Sequence, residues 1–247
     1  MSASLHTQSS STVYSYDRTL SLPSSDHQDH TFCGVSFSIA TKPDAPCTQL
    51  QITSLSVRGA LGRVSIYTTK QLIPHTDVYS DPSAWYRVHL SDNAASFRSY
   101  KALPFDEPVD LPPGCARGFY VHSEMQNDQA IVYDNVRSHT PSADVHVSVL
   151  PGLAHLSPTP FSSHGGFAWG GWRRNRVFVG KVDYGVKTVL WTKKNHLLFT
   201  KSFRVCASAA QRRSALLRRK RAESLVVGGR PPEPPLRPAR QQQMRRT

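Results

Sequence analysis

From Thr31 to Tyr184 the chain is cut into short runs of β-branched and aromatic residues, each closed by Pro, Gly, Asp or Asn. No stretch between them carries the 3.6-residue apolar period of an amphipathic helix, so the runs must bury themselves by pairing as strands. The clearest has Val145, Val147 and Val149 alternating with His146 and Ser148 and closes at Pro151-Gly152. Residues 32–39 alternate through Val35, Phe37 and Ile39, and residues 50–57 are apolar at Leu50 and Ile52, then at Leu55 and Val57. That phase slip predicts a β-bulge. Further strands are expected at 64–68, 86–90, 109–111, 118–123, 130–133, 176–179 and 181–184, separated by turn residues such as Gly59, Asp81-Pro82 and Pro112-Pro113-Gly114. Many short strands without crossover helices favour an all-β, two-layer antiparallel β-sandwich with a jelly-roll-like topology over a parallel sheet.

The flanks read differently. Residues 1–30 are polar and aperiodic and are expected to be a disordered arm; 31–190 form the sandwich domain; 191–247 form a basic tail, part helical over 201–221 and part Pro/Arg-rich disorder. A domain of roughly 160 residues buries about 70% of its surface on folding, enough for an independent core. The net charge of +13 is unevenly spread: residues 201–247 hold 13 Lys/Arg and 2 Asp/Glu, whereas 1–200 hold 17 and 15. The domain is near neutral, and basicity belongs to the tail. No window of about 18 apolar residues predicts a membrane span. The N-terminus lacks a basic start and an apolar core, so an intracellular protein, cytoplasmic or nuclear, is expected. The Ser/Thr-rich start shares some character with a transit peptide, against which stand Asp17, Asp26 and few Arg. Cys33, Cys47, Cys115 and Cys206 form no metal-like spacing and are read as reduced thiols.

Candidate binding residues cluster in two places. The Gly-rich loop 151–172 holds Phe161, Phe167, Trp169 and Trp172, followed by Arg173, Arg174 and Arg176. Trp85, Trp169 and Trp172 can stack on a sugar or base, or pack within the domain. The three Arg can hold phosphate or carboxylate through guanidinium forks, or cover apolar surface with their stems. In the tail, Arg212, Arg213, Arg218, Arg219, Lys220 and Arg221 suit a nuclear-import signal or a polyanion contact, or a solvated basic end. Pro232, Pro235 and Arg237 fit a proline-type ligand for an aromatic groove. His122, His146, His155 and His164 are scattered without a triad or metal spacing, and Asp106, Glu107 and Asp110 read as a cation site or a solvated turn. No cofactor and no metal are expected.

The segments LSVRGALGRVSIY (residues 55–67), DPSAW (81–85), LPPGCARGFYV (111–121), IVYDN (131–135) and RVFVGKVDY (176–184) resemble a family of small β-sandwich domains of bacterial secreted proteins and of algal and protist proteins. FDEPVDLPPG also resembles the sandwich domain of some ubiquitin-ligase adaptors. Both resemblances imply the fold; neither implies an activity or site residues. The expectation is therefore a non-enzymatic module for a protein or glycan ligand. The alternatives are a nuclear or nucleic-acid-associated protein acting through its tail, or an enzyme using the Gly/Trp loop.

Overall fold

The computed structural model describes residues 13–22, 30–126, 128–136, 142–164 and 170–188. All lie within the first of two compact units of the chain, Met1–Cys206. The expected tail helix 201–221, the basic cluster, the Pro-type motif and Trp169 fall outside the described residues.

Thirteen strands are described: β1 (Val13–Leu22), β2 (His30–Phe32), β3 (Gly34–Thr41), β4 (Gln49–Gly59), β5 (Gly62–Thr69), β6 (Trp85–Asn93), β7 (Ser96–Leu111), β8 (Ala116–Ser123), β9 (Ile131–Asn135), β10 (Ser142–Ala143), β11 (Val147–His155), β12 (Trp172–Phe178) and β13 (Gly180–Thr188). Among the described residues the only helical pieces are single 3-10 turns at His75–Asp77 and Pro82–Ala84. No described helix is long and apolar enough to cross a membrane. The fold is antiparallel β throughout. A small sheet runs β1-β13-β4-β7, and a large one runs β2-β9-β12-β11-β3-β8-β5-β6 with β10 beside β11.

Alternation decides which side chains meet. Leu50, Ile52, Leu55 and Val57 of β4, with Leu103 of β7 and Val182 and Tyr184 of β13, join Val35, Phe37 and Ile39 of β3 and Phe119 and Val121 of β8 in one core cluster. At its centre Phe37 stacks on Phe178 at 4.3 Å and on Phe119 at 6.3 Å. Burying one such ring stabilises the fold by about 2–3 kcal/mol. The phase slip in β4 is a bulge: its registers with β7 and β13 both shift around Thr53.

Three expectations are corrected. The polar arm contains β1, which pairs with β13, buries Leu20 and Leu22, and anchors Thr19 Oγ1–H on Asp183 Oδ1 at 2.7 Å. The short strand at 109–111 is the end of the sixteen-residue β7, so Asp106, Glu107 and Asp110 lie along a strand. The strand of Val145, Val147 and Val149 begins at Val147 and continues through Pro151-Gly152 to His155. It needs Gly152 there because the register to β3 shifts and brings Ser36 O onto the place a Cβ would occupy. Val145 is 58% exposed, in the turn that Asp144 closes by accepting the His146 and Val147 N–H groups. The Tyr184 hydroxyl donates to Asp144 Oδ2 and accepts from His146 Nδ1, linking the two sheets.

Candidate functional site

The side of the large sheet opposite the core is unusual for a strand face: it is polar in sequence yet buried. On β3 the residues between the core positions are Gly34, Ser36 and Ser38; on β8 they are Tyr120 and His122. Ser36, Ser38, Tyr120, His122 and His155 all have no measurable exposure. The segments before β6 and after β11 cover them. His75 bonds Ser38, Tyr79 stands edge-on to Trp172, and Phe161 stands edge-on to Tyr67 and Tyr120, each at 5.0 Å.

Register explains how the rings meet. Gly34 pairs with His122 on one side and His155 on the other, and His155 pairs with Trp172, so four adjacent strands present His, Gly, His and Trp in one row. A Cβ on Gly34 would come within 2.5 Å of Val121 O and 3.1 Å of the Tyr120 ring. Its absence lets the two imidazoles approach to 5.4 Å and Trp172 lie over His155 at 4.1 Å. Tyr120, from the next row, meets His122, His155, Trp172, Trp85 and Phe161.

The hydrogen bonds assign the protons. His155 Nε2 faces Ser162 O at 3.0 Å; a carbonyl only accepts, so Nε2 carries the hydrogen and Nδ1 accepts the Tyr120 O–H at 2.6 Å. His122 Nε2–H donates to Ser157 O at 3.0 Å, leaving Nδ1 a bare acceptor. Ser38 Oγ accepts the His75 N–H at 2.9 Å and gives its own proton to His75 Nδ1 at 2.7 Å. That leaves His75 Nε2–H, His122 Nδ1, Trp172 Nε1–H and Ser36 Oγ without partners among the described residues. Burial drives His75, His122 and His155 each down to about 4 and raises Tyr120 well above its ordinary range. At neutral pH the layer is therefore uncharged.

Chemically, the Ser38 and His75 side chains lie at nucleophile–base distance, but the hydroxyl already accepts a backbone N–H beneath the turn, so the pair pins the 75–77 turn to the sheet. Among the described residues no group of three or more His, Cys, Asp or Glu could hold a metal ion. Cys33, buried beside the layer, points Sγ–H at Leu156 O at 3.4 Å, and burial pushes its thiol up to about 11. Cys33, Cys47 and Cys115 are buried and form no disulfide among the described residues.

The residues singled out by sequence separate into three positions. Trp85 is 4% exposed, donates Nε1–H to Val78 O at 2.8 Å and lies in the ring cluster with Phe161. Trp172 is half-buried in the same cluster. Arg174 is exposed, paired with Leu153 in the row beside His155. Arg173 and Arg176 lie elsewhere, over Phe32 at 5.9 Å and Tyr133 at 5.7 Å. Asn175, with φ 60°, is the extra residue of a bulge against β11, and it puts Arg173 and Arg176 on one face although they are three apart. Arg176 Nη1 donates to Arg174 O and Asn175 O, which leaves that fork partly used by its own strand. Sequence reasoning missed His75, Ser38 and Gly34. No protein-family model matches the chain, and no curated protein matches it either.

Proposed function

We propose that this chain is a non-catalytic binding module built on a two-layer, jelly-roll-like antiparallel sandwich, in keeping with its resemblance to small sandwich domains. Its ligand, a protein or glycan, meets the loop between β11 and β12 together with Trp172 and Arg174. The observation that carries this reading is the way the loop is held. Phe161 sits at φ 62°, a left-handed conformation costly for a bulky residue, yet its ring is held edge-on against both Tyr120 and Tyr67. His122 and His155 grip Ser157 and Ser162 on either side, and Leu156 N–H and Gly171 O close the base of the loop at 2.9 Å. Strain that persists because surrounding contacts over-determine it gathers at recognition loops on rigid sheets.

The test uses the full chain on glycan and peptide arrays, with Arg174→Gln and Phe161→Gly beside the wild type. Glycine takes φ 62° without strain but frees the loop. The reading expects a ligand that both variants bind at least tenfold more weakly and that is recovered chemically unchanged. A ligand consumed by the protein, or held equally by both variants, overturns it. A second reading rests on the net +11 of residues 201–247, which suits a nucleic-acid contact or nuclear import. If deleting those residues leaves the salt dependence of nucleic-acid binding unchanged, that reading fails.

A further inference from the structure

The segment that follows β11 is fastened to the ring layer by groups that can take up protons in acid. His122 Nε2–H holds Ser157 O and His155 Nε2–H holds Ser162 O, each at 3.0 Å, with the two imidazole rings 5.4 Å apart. Neither ring has a place for a second proton. At His155 it would land on Nδ1, which accepts the Tyr120 O–H at 2.6 Å, and at His122 on Nδ1, which has no partner among the described residues. No counter-ion stands ready either: residues 151–172 contain no Asp, Glu, Lys or Arg, and His164 of that stretch is exposed. The flanking elements bring the Tyr67 and Tyr120 rings, Tyr79 edge-on to Trp172, Cys33 with its Sγ–H on Leu156 O, and His75, which is occupied by Ser38. Of the charged groups around them, Arg173 lies over Phe32, Arg174 and Asp77 are exposed, Glu124 pairs with Arg63, and Asp128 is exposed with its charge reaching Cys33.

We propose that residues 156–164 are an acid-released latch: at neutral pH they lie fastened on the ring layer, and in acid they lift off it while both sheets stay paired. A buried imidazolium without a carboxylate needs water around it, and lifting the segment admits water without opening the main core. That core, with Phe37, Phe119 and Phe178 at its centre, lies on the opposite side of the sheet. Lifting also relieves the left-handed backbone of Phe161 at φ 62°. Burial holds His122 and His155 at about 4 while the segment is down, whereas exposed imidazoles titrate near 6.5. The latch is therefore at full strength above pH 6.5 and weakens as pH falls toward 4. From pH 7 to 5 each imidazole shifts the balance toward the lifted form about 22-fold, and the pair about 500-fold. The latch stands whatever the loop binds; that acid also frees a ligand rests on the loop being the recognition element.

The experiment follows hydrogen exchange of the full chain by mass spectrometry from pH 7 to pH 5, with rates corrected for the intrinsic pH dependence of amide exchange. It compares peptides covering 156–164, where the Leu156 and Ser162 N–H groups are bonded to Gly171 O and Thr159 O, with peptides covering β4. His122→Gln and His155→Gln each keep a side-chain N–H for the loop carbonyl and lose the titration, so either serves if the other does not fold. In the wild type, protection of 156–164 is expected to fall by up to about 500-fold from pH 7 to 5, with β4 the more protected at each pH. In either variant the fall is expected to be no more than about 22-fold. Constant protection of 156–164 over this range, loss that follows one pH curve in 156–164 and β4 alike, or a fall in the variants as large as in the wild type would each overturn the latch. A ligand whose affinity is unchanged where the protection of 156–164 is lost would instead overturn the recognition role of the loop, and with it the release of ligand, while the latch stands.

Discussion

Acidification is the sharpest probe of the buried layer. His75, His122 and His155 are neutral in the fold and are held at about 4 by burial, whereas in the unfolded chain each titrates near 6.5. Below pH 6.5 the unfolded state therefore binds more protons than the folded one, and stability falls as pH falls, down to about pH 4. The contribution is intact above pH 6.5. At pH 5 each His costs about 2 kcal/mol, and three cost about 6 kcal/mol, against a total stability of about 5–15 kcal/mol. Urea unfolding of the full chain at steps from pH 8 to 5 should show stability lost by up to about 4 kcal/mol per pH unit at the steep end, the signature of three protons taken up on unfolding. His122→Gln, whose side-chain amide N–H can still donate to Ser157 O, should remove about one proton from that slope. Stability that stays flat from pH 8 to 5, or a slope that His122→Gln leaves unchanged, would refute the assignment of the layer as uncharged.

Other substitutions probe the interactions singly, each read by urea or thermal unfolding. Tyr120→Phe leaves His155 Nδ1 unpartnered in a buried place and is expected to cost about 1–3 kcal/mol; a neutral result would mean the hydroxyl is dispensable. Gly34→Ala forces a methyl to within 2.5 Å of a backbone carbonyl and against Tyr120, so a loss of about 1–3 kcal/mol or more is expected, with a shift in the near-ultraviolet signal of the ring cluster. Phe37→Ala removes the ring stacked on Phe178 and Phe119 and should cost about 3–5 kcal/mol. Arg174→Ala, an exposed change, should move stability by no more than about 0.5 kcal/mol.

How far the chain could be read from its residues depended on whether a strand has one buried face or two. β4 was legible down to its bulge, because Leu50, Ile52, Leu55 and Val57 face a core while their neighbours face out. β1 was not: the register shift between Ser15 and Arg18 dephases it, and among its described side chains only Leu20 and Leu22 are buried. β7 was hidden by Pro104 and Pro108, which suit an edge strand with no partner on one side. Pro104 O accepts from His89 Nδ1 of β6, so its backbone polar group faces away from β4. The ring layer was illegible for the opposite reason. Gly118 to Ser123 of β8 is buried on both faces, so Tyr120 and His122 stand in a near-continuous apolar run. Ser38 and His75 are separated by 37 residues, and no local pattern joins them.

That double burial also relates the fold to the proposed function. With the core on one side and the ring layer on the other, the central strands β3, β8 and β11 carry little surface of their own, and recognition is left to whatever lies over the layer or at the rims. The loop after β11 is fastened to that layer through the imidazoles of His122 and His155 and the ring of Tyr120, all uncharged at neutral pH. Whatever loosens the layer must loosen the loop with it. If the loop is the recognition element, ligand affinity and the stability of the ring layer should fall together in Tyr120→Phe, whereas Phe37→Ala, on the other side of the sheet, should cost stability without changing the affinity of the molecules that remain folded.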